Sequence, residues 1–295
     1  MEIFMQCLIS GTAQGAIYGL IALGYSVIFS TMRMGHFAQG DFYMIGAYLA
    51  YQALARWALP LWSTVLIAVV GTSVVMLVTE RVIYRTMYAG SGTGLIIATM
   101  GTQYIIQELA VLIWGSETRK IMPYIPTGSI TRDILGMKLV ISIESVAFIT
   151  ICSVLMIILA VFMKFTKMGQ SMSAVSMNKD AAQLMGVKLT TVIATTYIMA
   201  ASLAAISGML MGPKYSVVYT MGNLTGNRAM TAAVLGGFGN MPGAMLGGVL
   251  LGIVEITGAF YLSSAYRDVF TFAVLILVLF WRPQGILGRG SITKV

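Results

Sequence analysis

Long apolar runs separated by short charged clusters organise this sequence. No charged residue stands between Glu2 and Arg33, and a helix over Leu8 to Phe29 would span about 30 Å of hydrocarbon. The second run, Phe37 to Ala55, contains Asp41 and the helix-loosening Gly40 and Gly46, so a broken or partly re-entrant segment is expected there. Trp57 to Thr79 and Leu95 to Trp114 read as clear spans, parted by Glu80, Arg81 and Arg85 and the glycine-rich Gly90 to Gly94. Further apolar stretches cover Val140 to Met163, Leu189 to Met211, Tyr215 to Asn227, the glycine-rich Ala229 to Ile256, and Val269 to Trp281. The pattern predicts an all-α polytopic membrane protein with about eight to ten transmembrane segments, some broken or re-entrant. Residues 1–295 are expected to form a single transmembrane domain.

Two polar stretches interrupt the runs. Residues 116–138 contain Pro123, Pro126 and Gly128, which punctuate helices, so an irregular or hairpin-like extramembrane loop is expected. Residues 164–188 hold Lys164, Lys167, Lys179 and Lys188, against Arg119, Lys120, Arg132 and Lys138 in the first loop. That near tie is broken by Arg81 and Arg85 and by the basic tail Arg282, Arg289 and Lys294. By the excess of basic residues in cytoplasmic loops, 164–188 is placed inside and 116–138 outside. The start, Met1-Glu2-Ile3, lacks the basic region of a cleaved signal; the first run is therefore expected to be a transmembrane helix.

Composition agrees. Hydrophobic residues make up 58% and charged residues 9%, where a soluble domain carries about 25% charged. The net charge of +8 comes from basic residues flanking apolar segments, not from one solvated face, and no nucleic-acid partner is expected. Cys7 and Cys152 lie in apolar runs and suit core filling rather than a disulfide or metal site. The 23 methionines are spread through every span, as core packing would have them.

Candidate chemistry falls in three places. Asp41 is a carboxylate inside a membrane segment with His36, Gln39 and Gly40 beside it; such a group faces a water-filled cavity or a partner, or sits at the interface capping a helix or pairing with Arg33. One histidine and one carboxylate are too few for a metal. In the glycine-rich run, Gly236 to Gly248 allow close helix packing, while the break at Asn240, Pro242 and Gly243 can expose backbone groups to a polar path. In the 164–188 loop, Ser171 or Asn178 can cap a short helix that Gly186 ends in the left-handed conformation. Ala174, Ala181 and Ala182 beside Leu184 and Met185 would give it a knobbed face able to lodge in a groove on another protein.

Gly169 to Gly186 resembles the Gly-x4-Ala-x6-Ala-Ala-x-Leu-x-Gly coupling segment of the permeases of branched-chain amino acid ABC importers, the LivH type. His36-Phe-Ala-Gln-Gly-Asp41 is similar to the Asn-Phe-Ala-His-Gly-Glu motif of that family. Thr231 to Gly248 and Arg282-Pro-Gln-Gly-Ile286 extend the resemblance over nearly the whole chain. Gln170 and Ser173 depart from the arginines usual in the coupling segment, and His36, Gln39 and Asp41 from the usual Asn, His and Glu.

The resemblance implies the permease subunit of an ATP-driven importer in the bacterial inner membrane, moving branched-chain amino acids by alternating access. Its substrate path would involve His36, Gln39, Gly40, Asp41, Asn240, Pro242 and Gly243. ATPase coupling would involve Gly169, Ala174, Asn178, Ala181, Ala182, Leu184 and Gly186. The implied partners are a second related permease or a second copy, two cytoplasmic ATPases, an extracytoplasmic binding protein and membrane lipid. The chain has no Gly-x4-Gly-Lys-Ser/Thr phosphate loop, so ATP and Mg belong to the partner ATPases, and no enzyme activity or cofactor is expected of this subunit. The alternatives are a permease for urea, short amides or a sugar, and an ion-coupled secondary transporter, which should show paired intramembrane charges.

Overall fold

The computed structural model describes residues 2–88, 92–126, 128–134 and 137–288. Part of the glycine-rich turn after Tyr88, and the basic tail residues Arg289 and Lys294, lie outside the described residues. Helices dominate: α1 (Glu2–Met32), α2 (Gln39–Tyr51), α3 (Leu61–Thr79), the short α4 (Arg85–Met87), α5 (Gly92–Trp114), α6 (Ile143–Phe165), α7 (Lys167–Met177), α8 (Lys179–Leu184), α9 (Leu189–Tyr215), α10 (Met221–Gly236), α11 (Met241–Tyr261) and α12 (Arg267–Trp281). π-helical turns, Gln52–Arg56 and Glu80–Tyr84, extend α2 and join α3 to α4. Strands β1 (Ser129–Ile134) and β2 (Met137–Ser142) form an antiparallel hairpin.

Among the described residues seven helical segments are long and apolar enough to cross a membrane, which makes the chain a multi-pass membrane protein. α2 and α10, with 13 and 16 residues, are shorter than the roughly 20 residues a span needs. α2 lies in the run expected to be broken or re-entrant, and α10 joins the end of the expected Tyr215 to Asn227 segment to the start of the glycine-rich run. The hairpin runs to Ser142, past the expected end of the polar loop at Lys138, because Lys138 to Ser142 is rich in β-branched residues that pair across β1. The span after it accordingly starts at Ile143 and not at Val140.

The chain separates into two compact units: residues 1–26, 125–156 and 228–295 form one, and residues 27–124 and 157–227 the other. In the first, the amino-terminal part of α1 lies backbone to backbone on α11. A methyl group added to Gly15 would come within 2.7 Å of the Val249 Cα, and one on Gly252 would strike the backbone of Gly15. Such contacts are the membrane substitute for a hydrophobic driving force between helices. In the second unit, α2 packs on α9 and α3, and α3 on α9. There Gly208 admits the Tyr43 carbonyl, and Gly46 admits Ala205. The fully buried Tyr48 stacks on Trp114 with centroids 4.8 Å apart.

Candidate functional site

α1 ends at Met32 because Arg33 turns into the left-handed region, φ 57°, and the chain runs through His36 before Gln39 opens α2. This turn carries the histidine, the glutamine and the carboxylate singled out in the sequence, and all three are buried, with Gln39 and Asp41 fully enclosed. Gln39 donates its Nε2 to the Ala200 carbonyl at 2.9 Å. Asp41 Oδ1 accepts from Gln107 Nε2 at 2.8 Å. Phe37 N donates to Thr99 Oγ1 at 3.2 Å. The His36 ring is edge-on to Tyr84 at 5.1 Å and to Tyr197 at 5.6 Å, and tilted against Phe42 at 6.0 Å.

Asp41 is enclosed by protein and is not paired with Arg33. Arg33 instead reaches away, donating Nε and Nη2 to the Ser176 carbonyl of α7 at 3.4 and 3.3 Å. Among the described residues no cation pairs with Asp41, and a buried carboxylate held by one neutral side-chain amide is costly. Among the described residues, both ring nitrogens of His36, Gln39 Oε1 and Asp41 Oδ2 find no hydrogen-bond partner. Gly40 lies against the backbone of Gly222 and Gly226 in α10, and a methyl group on Gly222 would come within 2.6 Å of Asp41 Oδ1.

The other three path candidates belong to the other unit. α10 stops at Gly236, Gly237 and Gly239 have positive φ, and Asn240 caps α11 with Pro242 in its first turn. Pro242 thus begins a helix, where its missing N–H costs nothing. Asn240 donates to the Leu287 carbonyl. The amides of Ile286 and Leu287 donate to Leu235 and Gly236 at 2.9 and 3.1 Å, so the Arg282 to Ile286 segment closes the end of α10. Gly243 touches Gly236 backbone to backbone. The break is real, and the Asn240 side chain at it is engaged on both polar atoms, by the Leu287 carbonyl and the Gly243 amide.

The 164–188 loop holds two short helices where one was expected. Thr166 caps α7 by accepting from Gly169 N at 3.0 Å, and Ser171, mid-helix, bonds back to Lys167 and caps nothing. Asn178 ends α7 and caps α8, accepting from Asp180 N and Ala181 N, each at 3.0 Å. Gly186 has φ 85° and ends α8 as its place in the sequence predicts. Gly169 packs on the Met163 backbone. Ala182 is buried and Ala174 half-buried, while Asn178, Ala181, Leu184 and Gly186 are exposed. Met177, Leu184 and Met185 present 85–89% of their surface, a concentrated apolar display on a polar loop.

A fourth site was not anticipated as a cluster. Glu255 of α11 is fully buried, and its Oε1 lies 3.1 Å from both Arg228 Nη1 and Arg267 Nε. It also accepts from Tyr18 OH at 3.2 Å. Arg228 extends the network to Asp268 at 2.7 Å. Such pairing within apolar helices is the feature expected of an ion-coupled transporter, so charge alone does not decide the class. Among the described residues no group of three His, Cys, Asp or Glu side chains could hold a metal.

Relatives decide it. The family described as "Branched-chain amino acid transport system / permease component" matches residues 7–279. This chain belongs to that family. The permease is 35% identical to the high-affinity branched-chain amino acid transport system permease protein BraD of Pseudomonas aeruginosa, over 99% of this chain and 98% of the relative. It is also 35% identical to the corresponding protein LivH of Escherichia coli K12, with the same coverage. A probable LivH of Methanocaldococcus jannaschii is 27% identical over 91% of this chain and 88% of the relative. The fold is shared with PsaBC from Streptococcus pneumoniae, solved in complex with Fab, at a TM-score of 0.53 and 10% identity over 95% of this chain and 92% of that one. The permease is a transport subunit, not an enzyme.

Of the groups around Asp41, sequence reasoning missed Gln107, Tyr84, Tyr197 and Gly222. Gln107 alone left a trace, as a polar side chain within an apolar run.

Proposed function

We propose that this permease conducts branched-chain amino acids across the bacterial inner membrane by alternating access, in an importer driven by ATP and Mg on two cytoplasmic ATPase subunits. A second permease subunit or copy and an extracytoplasmic binding protein complete the assembly. The observation that carries the reading is identity of 35% along essentially the full length of permeases named for that transport.

The geometry supplies a path for coupling. Met177, Leu184 and Met185 form an apolar knob of the kind that seats in a groove on a partner. Ser176, beside that knob, is held by Arg33, which begins the turn carrying His36, Gln39 and Asp41. Movement of the knob is thereby passed to the buried cluster through one side chain. Asp41 Oδ2 and Gln39 Oε1 are two acceptors suited to a ligand ammonium, and the Phe42, Tyr84 and Tyr197 rings suit an aliphatic side chain. The cluster is closed in the conformation described, so substrate entry requires it to open.

The test is ATPase activity of the purified complex in lipid, with and without leucine-loaded binding protein. Loaded binding protein should stimulate hydrolysis in the wild type and fail to do so when Met177, Leu184 and Met185 are all replaced by Ser. If no ATPase co-purifies, or the triple variant is stimulated as before, the reading is wrong.

A further inference from the structure

One face of α3 and of the π-helical turn after it is apolar and exposed along most of its length. Leu66, Val70, Val74, Val78 and Val82 follow one another four apart and are all exposed, a continuous apolar stripe that faces lipid in a membrane. At the end of the stripe a groove of about 480 Å³ opens between this helix and the start of α9. Leu77, Leu189 and Ile193 form its apolar wall, and Glu80 lines it together with Arg81, Arg85 and Tyr88. Arg81 and Arg85 are exposed and make neither an ion pair nor a hydrogen bond among the described residues. Glu80 does not neutralise them by contact; its carboxylate is buried and accepts from Tyr88 OH at 3.3 Å. The π-helical turn Glu80–Tyr84 rotates the chain here, bringing Glu80 inward while Arg81 and Arg85 stay out.

Two unpaired guanidinium groups over an apolar wall, at the end of a lipid-facing stripe, match one ligand chemistry: a phosphate joined to hydrocarbon. We propose that this groove holds the headgroup of an anionic phospholipid, with its acyl chains laid along α3 and α9. The groove opens where α9 leaves the 164–188 loop, so a bound lipid would brace the start of the helix that packs on α2.

Native mass spectrometry of the full-length permease, extracted in mild detergent and titrated with phosphatidylglycerol or phosphatidylcholine, tests this. Phosphatidylglycerol should be retained in preference to phosphatidylcholine, one per chain. Arg81→Gln with Arg85→Gln should weaken retention about twenty-fivefold, since each basic residue at a membrane surface is worth roughly fivefold. Arg81→Lys with Arg85→Lys should keep most of the preference, and Arg56→Gln, an exposed arginine before the start of α3, should leave it unchanged. Thermal melting of each variant checks that it is folded. Equal retention of both lipids, equal loss in Arg56→Gln, or competition by millimolar inorganic phosphate would overturn the proposal, the last by revealing a site for free anions. Unaltered lipid retention in the double Gln variant together with loss of a co-purifying ATPase would also overturn it, making this a protein-docking face.

Discussion

Asp41 and Glu255 are both fully buried carboxylates in a lipid-embedded chain, yet their surroundings are opposite. Glu255 receives two guanidinium groups and a phenol on one oxygen, and Arg228 passes the charge on to Asp268. Asp41 receives one neutral amide, from Gln107. A carboxylate matched by cations on neighbouring helices fastens those helices together. Asp41 and Glu255 each leave their second oxygen without a hydrogen-bond partner among the described residues, so the difference lies in charge: a carboxylate with no cation beside it is under-stabilised by the protein, which is the condition a ligand can relieve. Between them, the two sites separate holding from handling.

The sharpest way to break this comparison is at Glu255. Glu255→Ala leaves Arg228 and Arg267 facing each other without their shared anion, and breaking a buried pair costs about 3–5 kcal/mol. A large fall in melting temperature of the detergent-solubilised permease is expected, with little protein in the membrane fraction. Next comes Gln107→Leu, which removes the side-chain donor to Asp41 and should cost about 1–3 kcal/mol, read by the same melt. Asp41→Asn keeps the shape and relieves the buried charge; stability should hold or rise by about 1 kcal/mol while leucine uptake falls at least tenfold. Were uptake untouched, Asp41 would be a structural group like Glu255. Smallest is Asp268→Asn. Its carboxylate is 59% exposed, and an exposed pair is worth about 0–1 kcal/mol, so a near-silent melt is expected.

Much of the fold was legible because a membrane span needs only length and apolarity, which Leu61–Met87 or Ile143–Phe165 carry without reference to anything else. Local chemistry was legible for the same reason: Asn178 and Gly186 act through backbone a few residues away. Side-chain meetings were not. Gln107 lies 66 positions from Asp41 and Tyr18 lies 237 from Glu255, and an apolar helix gives no sign of which face meets which neighbour. Nothing in the sequence marks Glu255 as paired, because Arg228 and Arg267 sit on other helices. Thr166 caps α7 where Ser171 does not, since either hydroxyl precedes suitable amides and only backbone conformation chooses.

The glycine seam joining α1 to α11 carries one more implication. Where side chains interlock, a helix pair can slip by changing rotamers, one tooth at a time. Here Gly15, Gly248 and Gly252 offer no teeth and leave no room between the backbones even for a methyl group; any rotation would drive a larger neighbour into the seam and force the helices apart. The pair should therefore travel as one spar through the transport cycle, and a pair of spin labels placed across it should report a single, unchanging distance.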